Sequence, residues 1–99
     1  MTFDDVVDER CLKIKEVLKQ KAKEYATDKS RFHNFNVAAR VANTTPEKAL
    51  YGMMMKHLVS VMDIIEAPER FSPAHMDEKL GDLINYLILL EGMLRADAI

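Results

Sequence analysis

Residues 78–90 read Glu-Lys-Leu-Gly-Asp-Leu-Ile-Asn-Tyr-Leu-Ile-Leu-Leu, and this run constrains the chain more than any other part of it. As a helix it puts Glu78, Asp82 and Asn85 on one line, because residues three and four apart stand above one another. Leu80, Leu83, Ile84, Leu87, Ile88, Leu89 and Leu90 fill the rest of the circumference. A helix apolar on nearly every side belongs in an interior. A carboxylate within it must be paired, left in a solvated cleft or bound to a cation. Asp82 is therefore either a structural pairing group or part of a site.

The same periodicity of three and four governs most of the chain. From about residue 2 to 25, Phe3, Val7, Cys11, Ile14, Leu18, Ala22 and Tyr25 form one apolar stripe, which predicts a long helix that buries it. Acidic residues lead this segment and lysines end it, matching the helix dipole. Periodicity breaks between residues 26 and 36, and a short helix is expected at about 35–42. Thr45-Pro46 has the form of an N-cap followed by proline in the first helical position, and it starts a helix running to about Glu66. Leu50, Met54, Leu58, Val61, Met62 and Ile65 supply its apolar side, and Pro68 ends it. Ser72-Pro73 repeats the start signal for a last helix to about Arg95. No segment alternates with period two. The expected fold is all-α: a bundle of three long helices and one short one, in a single domain over residues 1–99. The many-sided apolar last helix and the adaptable Tyr51-Gly-Met-Met-Met surface predict a homo-oligomer that completes the bundle.

Composition excludes several function classes. Ninety-nine residues, 48% apolar and 30% charged, describe an ordinary globular chain and not a disordered one. A net charge of −2 provides no global attraction to a nucleic acid polymer or an anionic membrane. The single cysteine, Cys11, offers no intrachain disulfide and fits a reducing compartment; on the apolar stripe it is expected to be inert. The acidic start lacks the apolar core of a signal peptide, and no apolar run is long enough to span a bilayer, so a cytoplasmic location is expected.

Three groups of residues have chemistry to offer. Glu78, Asp82 and Asn85 present oxygen ligands one turn apart, which suits Mg²⁺ held by one or two carboxylates and substrate phosphates. Otherwise Glu78 complements its helix dipole and Asp82 pairs with a lysine. Lys56, Ser60 and Asp63 share a face of the middle helix; Lys56 can hold a phosphate and Asp63 can share a cation. The competing reading is a solvated face, with His57 half-buried and no ligand. The segment 23–35 interleaves Lys23, Arg31, Asn34 and His33 with Tyr25, Phe32 and Phe35, a set able to stack a base and hold a phosphate. It reads equally well as an interhelix turn anchored by Phe32 and Phe35. With glycine only at 52, 81 and 92, there is no glycine-rich phosphate loop.

Lys-Glu-Tyr at 23–25, Lys-His at 56–57 and Glu-Lys-Leu-Gly-Asp-Leu-Ile-Asn-Tyr at 78–86 together resemble the phage nucleotide-modification-associated helical domain. More loosely the chain looks like the MazG-type all-α nucleoside triphosphate pyrophosphohydrolases. The resemblance covers about residues 21–94 and is sharpest at Asp82, Asn85 and Tyr86. It implies a helical protein of phage origin, placed in the host cytoplasm, that binds or processes nucleotides with Mg²⁺. The Glu-x-x-Glu pair of the pyrophosphohydrolases has no counterpart within the middle helix; Glu66-Ala-Pro-Glu69 straddles the proline that ends it. Glu78 to Asp82 is also one residue longer than the family's Glu-x-x-Asp. The resulting expectation assigns metal to Glu78 and Asp82, and a nucleotide substrate to Arg31, Asn34, Lys56, Asp63, Asn85 and Tyr86. No catalytic residue is assigned. The competing class is a noncatalytic helical protein-interaction module.

Overall fold

The computed structural model describes residues 1–20 and 31–95, which are helical apart from short turns and ends, with no strand among them. Its contacts divide the chain into two compact units, Met1–Arg31 and Phe32–Ile99. No helix of the described residues is long and apolar enough to cross a membrane.

The first unit holds α1, Phe3–Lys15, continued by a π-helical turn at Glu16–Gln20. Thr2 starts α1 through a capping box. The Asp5 N–H donates to Thr2 Oγ1 at 3.1 Å, and the Thr2 N–H donates to Asp5 Oδ2 at 2.9 Å. Two of the orphan donors of the first turn are thereby satisfied. The expected helix to Tyr25 departs from α geometry after Lys15, and its end lies outside the described residues. The expected burial of its stripe is also corrected, because no residue of α1 is buried and Phe3 is 79% exposed.

The second unit is built from α2, His33–Ala42, α3, Pro46–Glu66, and α4, Pro73–Leu94. α2 starts two residues earlier than its spacing predicts. Asn43 ends it in the left-handed region at φ 54° and ψ 53°, a conformation asparagine tolerates better than most residues. The Thr45 side chain then accepts from the Lys48 N–H at 3.2 Å, with Pro46 in the first turn, as the sequence predicts. A 3₁₀ turn at Pro68–Arg70 separates α3 from α4. Ser72 opens α4 by accepting from the His75 N–H at 3.1 Å.

α3 packs against both α2 and α4. The core gathers Phe32, Phe35, Leu50 and Met93, with Met53, Tyr86, Leu89 and Leu90 partly buried against it. His57 meets Asp82, while Leu50 clusters with Met93. Descending along α3 thus corresponds to ascending along α4, so the two helices run antiparallel. The buried stripe of α3 is Leu50, Met54, Val61 and Ile64. Met62 and Ile65, expected on that side, are 56% and 73% exposed. They lie about a quarter-turn round the helix, beyond the width that α2 and α4 cover. On α4 only Gly81 and Met93 are buried, so the chain by itself does not enclose this helix as its composition predicts.

Candidate functional site

Asp82 and Tyr86 of α4 meet His57 of α3 at the seam between the two helices. Asp82, Asn85 and Tyr86 fall on neighbouring turns of α4, and His57 comes from α3. His57 Nδ1 lies 3.6 Å from Asp82 Oδ2, with the imidazole 15% and the carboxylate 36% exposed. That distance is too long for a hydrogen bond, but it gives a direct charge attraction whenever the imidazole is protonated. The His57 ring also lies against Tyr86, with ring centroids 4.8 Å apart and a 38° tilt. Phe35, from the first turn of α2, meets Tyr86 edge-on, at 6.0 Å and 77°. All three helices of the second unit therefore position the Tyr86 ring.

Electrostatics and burial act on the phenol in the same direction. Removal from water, and secondarily the Asp82 carboxylate one turn away, raise the Tyr86 pKa above the ordinary 10.0. The neutral phenol is thus held as a hydrogen-bond donor. Asn85 Oδ1 is out of contact with solvent and has no hydrogen-bond partner. Leaving such an acceptor unpaired costs about 1–3 kcal/mol, so it marks a place where a donor or a cation would be favourable.

The remaining predicted residues are more dispersed. Lys56 and Asp63 are exposed on α3. Ser60, between them, donates its hydroxyl to the Lys56 carbonyl oxygen at 3.0 Å, so it supports the helix backbone. Glu78 is one turn before Asp82, but its side chain is 66% exposed and its carboxylate faces Lys79 Nζ at 3.8 Å. Asn34 is exposed on the first turn of α2, next to Phe35. Arg31 is exposed and belongs to the first unit. Lys23 and Tyr25 lie outside the described residues. Phe32 and Phe35 are buried, as the anchored-turn reading of that segment requires. Cys11 is exposed. No group of three or more His, Cys, Asp or Glu side chains able to hold a metal occurs among the described residues.

The sequence reading leaves His57 half-buried, as the structure has it, but does not foresee that it meets Asp82 across the seam. The partner of Asp82 is this histidine, where a lysine was the expected alternative. His57 belongs to the core-facing row of Leu50, Met54, Val61 and Ile64, and a polar residue in such a row was the available signal. Comparisons with family models, curated proteins and solved structures found no match for the chain.

Proposed function

We propose that the chain binds a nucleotide at the α3–α4 seam, where Asp82 would hold Mg²⁺ beside the phosphates. The observation that carries this reading is the unpartnered Asn85 Oδ1, buried one turn from a carboxylate that solvent still reaches. A cation or a ligand N–H would relieve the amide oxygen, and the same cation would neutralise Asp82. Mg²⁺ needs only one or two carboxylates when phosphate oxygens and waters complete its octahedron. Asp82 is the proposed first ligand, and Glu78 reaches the same face by leaving its exposed pairing with Lys79. Lys56, next to His57, is the proposed phosphate contact, with Asp63 two turns further along; Asn34 is the proposed contact from α2. Tyr86 offers a neutral donor and an aromatic edge for the base. Arg31, in the first unit, has no defined place in this arrangement. Where the nucleotide is turned over, the resemblance suggests hydrolysis of a phosphoanhydride, water adding to phosphorus as the P–O bond to the departing phosphate or pyrophosphate breaks, with a metal held by Asp82 supplying charge neutralisation. The proposed setting is a cytoplasm, that of the host for a phage-encoded chain.

A thermal-shift scan of nucleotides, with and without Mg²⁺, tests the reading. Stabilisation that needs both nucleotide and Mg²⁺, and is lost in Asp82→Asn, supports it. Equal melting temperatures with every nucleotide would sink it. That result would leave a noncatalytic helical interaction module, which the exposed apolar side chains of α3 and α4 favour.

A further inference from the structure

Beside its core-facing row, α3 carries a second apolar row at Tyr51, Met55, Leu58, Met62 and Ile65. The steps are four, three, four and three residues, the heptad spacing by which one helix packs along another. No polar residue interrupts the row. Tyr51, Met62 and Ile65 are 57%, 56% and 73% exposed. On α4 the leucines at 80, 87 and 94 recur at every seventh residue and are 41%, 49% and 67% exposed. They lie on the side away from Gly81 and Met93, the two residues that α4 buries.

These exposed side chains leave on the order of 700 Å² of mostly apolar surface in water. This exceeds the few hundred Å² usual for a monomer's patch and approaches the ~800 Å² that each partner of a standard interface contributes. We propose that the occupant is a second copy of this chain, with α3 and α4 of each protomer packed on those of its partner about a two-fold axis. The spacing calls for a helix, and the lack of charge in the α3 row calls for an apolar one. The chain itself presents two such helices side by side, so its surface is self-complementary and four helices close into one bundle. The proposal does not depend on nucleotide binding, because none of these residues belongs to the His57–Asp82 cluster.

Sedimentation of the full chain across the micromolar range should show a reversible dimer. Met62→Lys and Leu87→Lys should each weaken it by roughly thirtyfold or more, the loss expected for a central interface anchor. Val41→Lys, at an 84% exposed position on α2, should leave dimerisation unchanged. Far-ultraviolet circular dichroism checks that each variant remains helical. A second readout needs no variant: nitration of Tyr51, mapped by mass spectrometry, should fall as protein concentration rises. A monomer at every concentration would overturn the proposal, as would a dimer indifferent to both lysine variants with Tyr51 equally reactive throughout. A monomer with Tyr51 already protected would also overturn it, by assigning the surface to another part of the same chain.

Discussion

At the scale of single residues, Asp82 and Tyr86 are coupled by charge, and each has a measurable consequence. Asp82 is over a third exposed and its contact with His57 is long, so the pair contributes only about 0.2–1 kcal/mol to stability. Asp82→Asn should therefore melt close to the wild type, while titration calorimetry shows weakened Mg²⁺-dependent nucleotide binding. A large fall in melting temperature without metal dependence in the wild type would make Asp82 a structural residue. Because the folded phenol of Tyr86 has a raised pKa, the folded state retains a proton that the unfolded state loses above pH 10.0. The associated stability is fully present below that value and declines as pH rises through the folded pKa. Tyr86→Phe should lack this part of the alkaline decline, as read from urea unfolding on either side of the ordinary phenol value. Leu50, with 0% exposure amid Phe32, Phe35 and Met93, is the side chain whose truncation should cost most. Leu50→Ala is expected to lose about 2–5 kcal/mol in the same assay.

At the scale of elements, Gly52 of α3 and Gly92 of α4 should respond oppositely to alanine. A Cβ at Gly52 would meet nothing within 4 Å, so Gly52→Ala adds helix propensity without a clash. It should raise stability by up to about 1 kcal/mol. At Gly92 a Cβ would sit 3.1 Å from Phe32 Cζ, and Phe32 is held in the core cluster. Displacing that ring costs about 1–3 kcal/mol, which outweighs the propensity gain, so Gly92→Ala should be destabilising. Thermal melts of the two variants beside the wild type check the signs. Gly92 thus leaves room for the Phe32 ring against α4, just ahead of α2.

For the molecule as a whole, the balance between buried and exposed apolar surface is unusual. The second unit has a small core centred on Leu50, while large apolar side chains on α3 and α4 face water. A chain of this size buries a modest fraction of its surface, so assembly has much to add to stability. If the outer rows are covered by a second copy, the melting temperature of the wild type should rise with protein concentration, since association stabilises by mass action. The same measurement on Leu87→Lys should show much less concentration dependence. The proposed nucleotide site at the seam and the proposed interface on the outer rows use different residues of the same two helices, so variants of one should leave the other intact.

Helix positions were legible from local chemistry alone. Thr45-Pro46 and Ser72-Pro73 start α3 and α4 because a side-chain oxygen can accept from a first-turn N–H, and proline has no N–H to leave unsatisfied. The Glu78, Asp82 and Asn85 line was equally visible, since residues three and four apart stand above one another. Tertiary structure decided what periodicity leaves open. α3 has two adjacent heptad rows, and spacing cannot say which one a single chain covers; packing against α2 and α4 selects Leu50, Met54, Val61 and Ile64 and leaves Met62 and Ile65 outside. Likewise the antiparallel register of α3 and α4 brings His57 to Asp82 across twenty-five positions of sequence. Local propensity carries no information about a pairing made between helices, because the groups that meet are determined by which faces bury the most apolar surface.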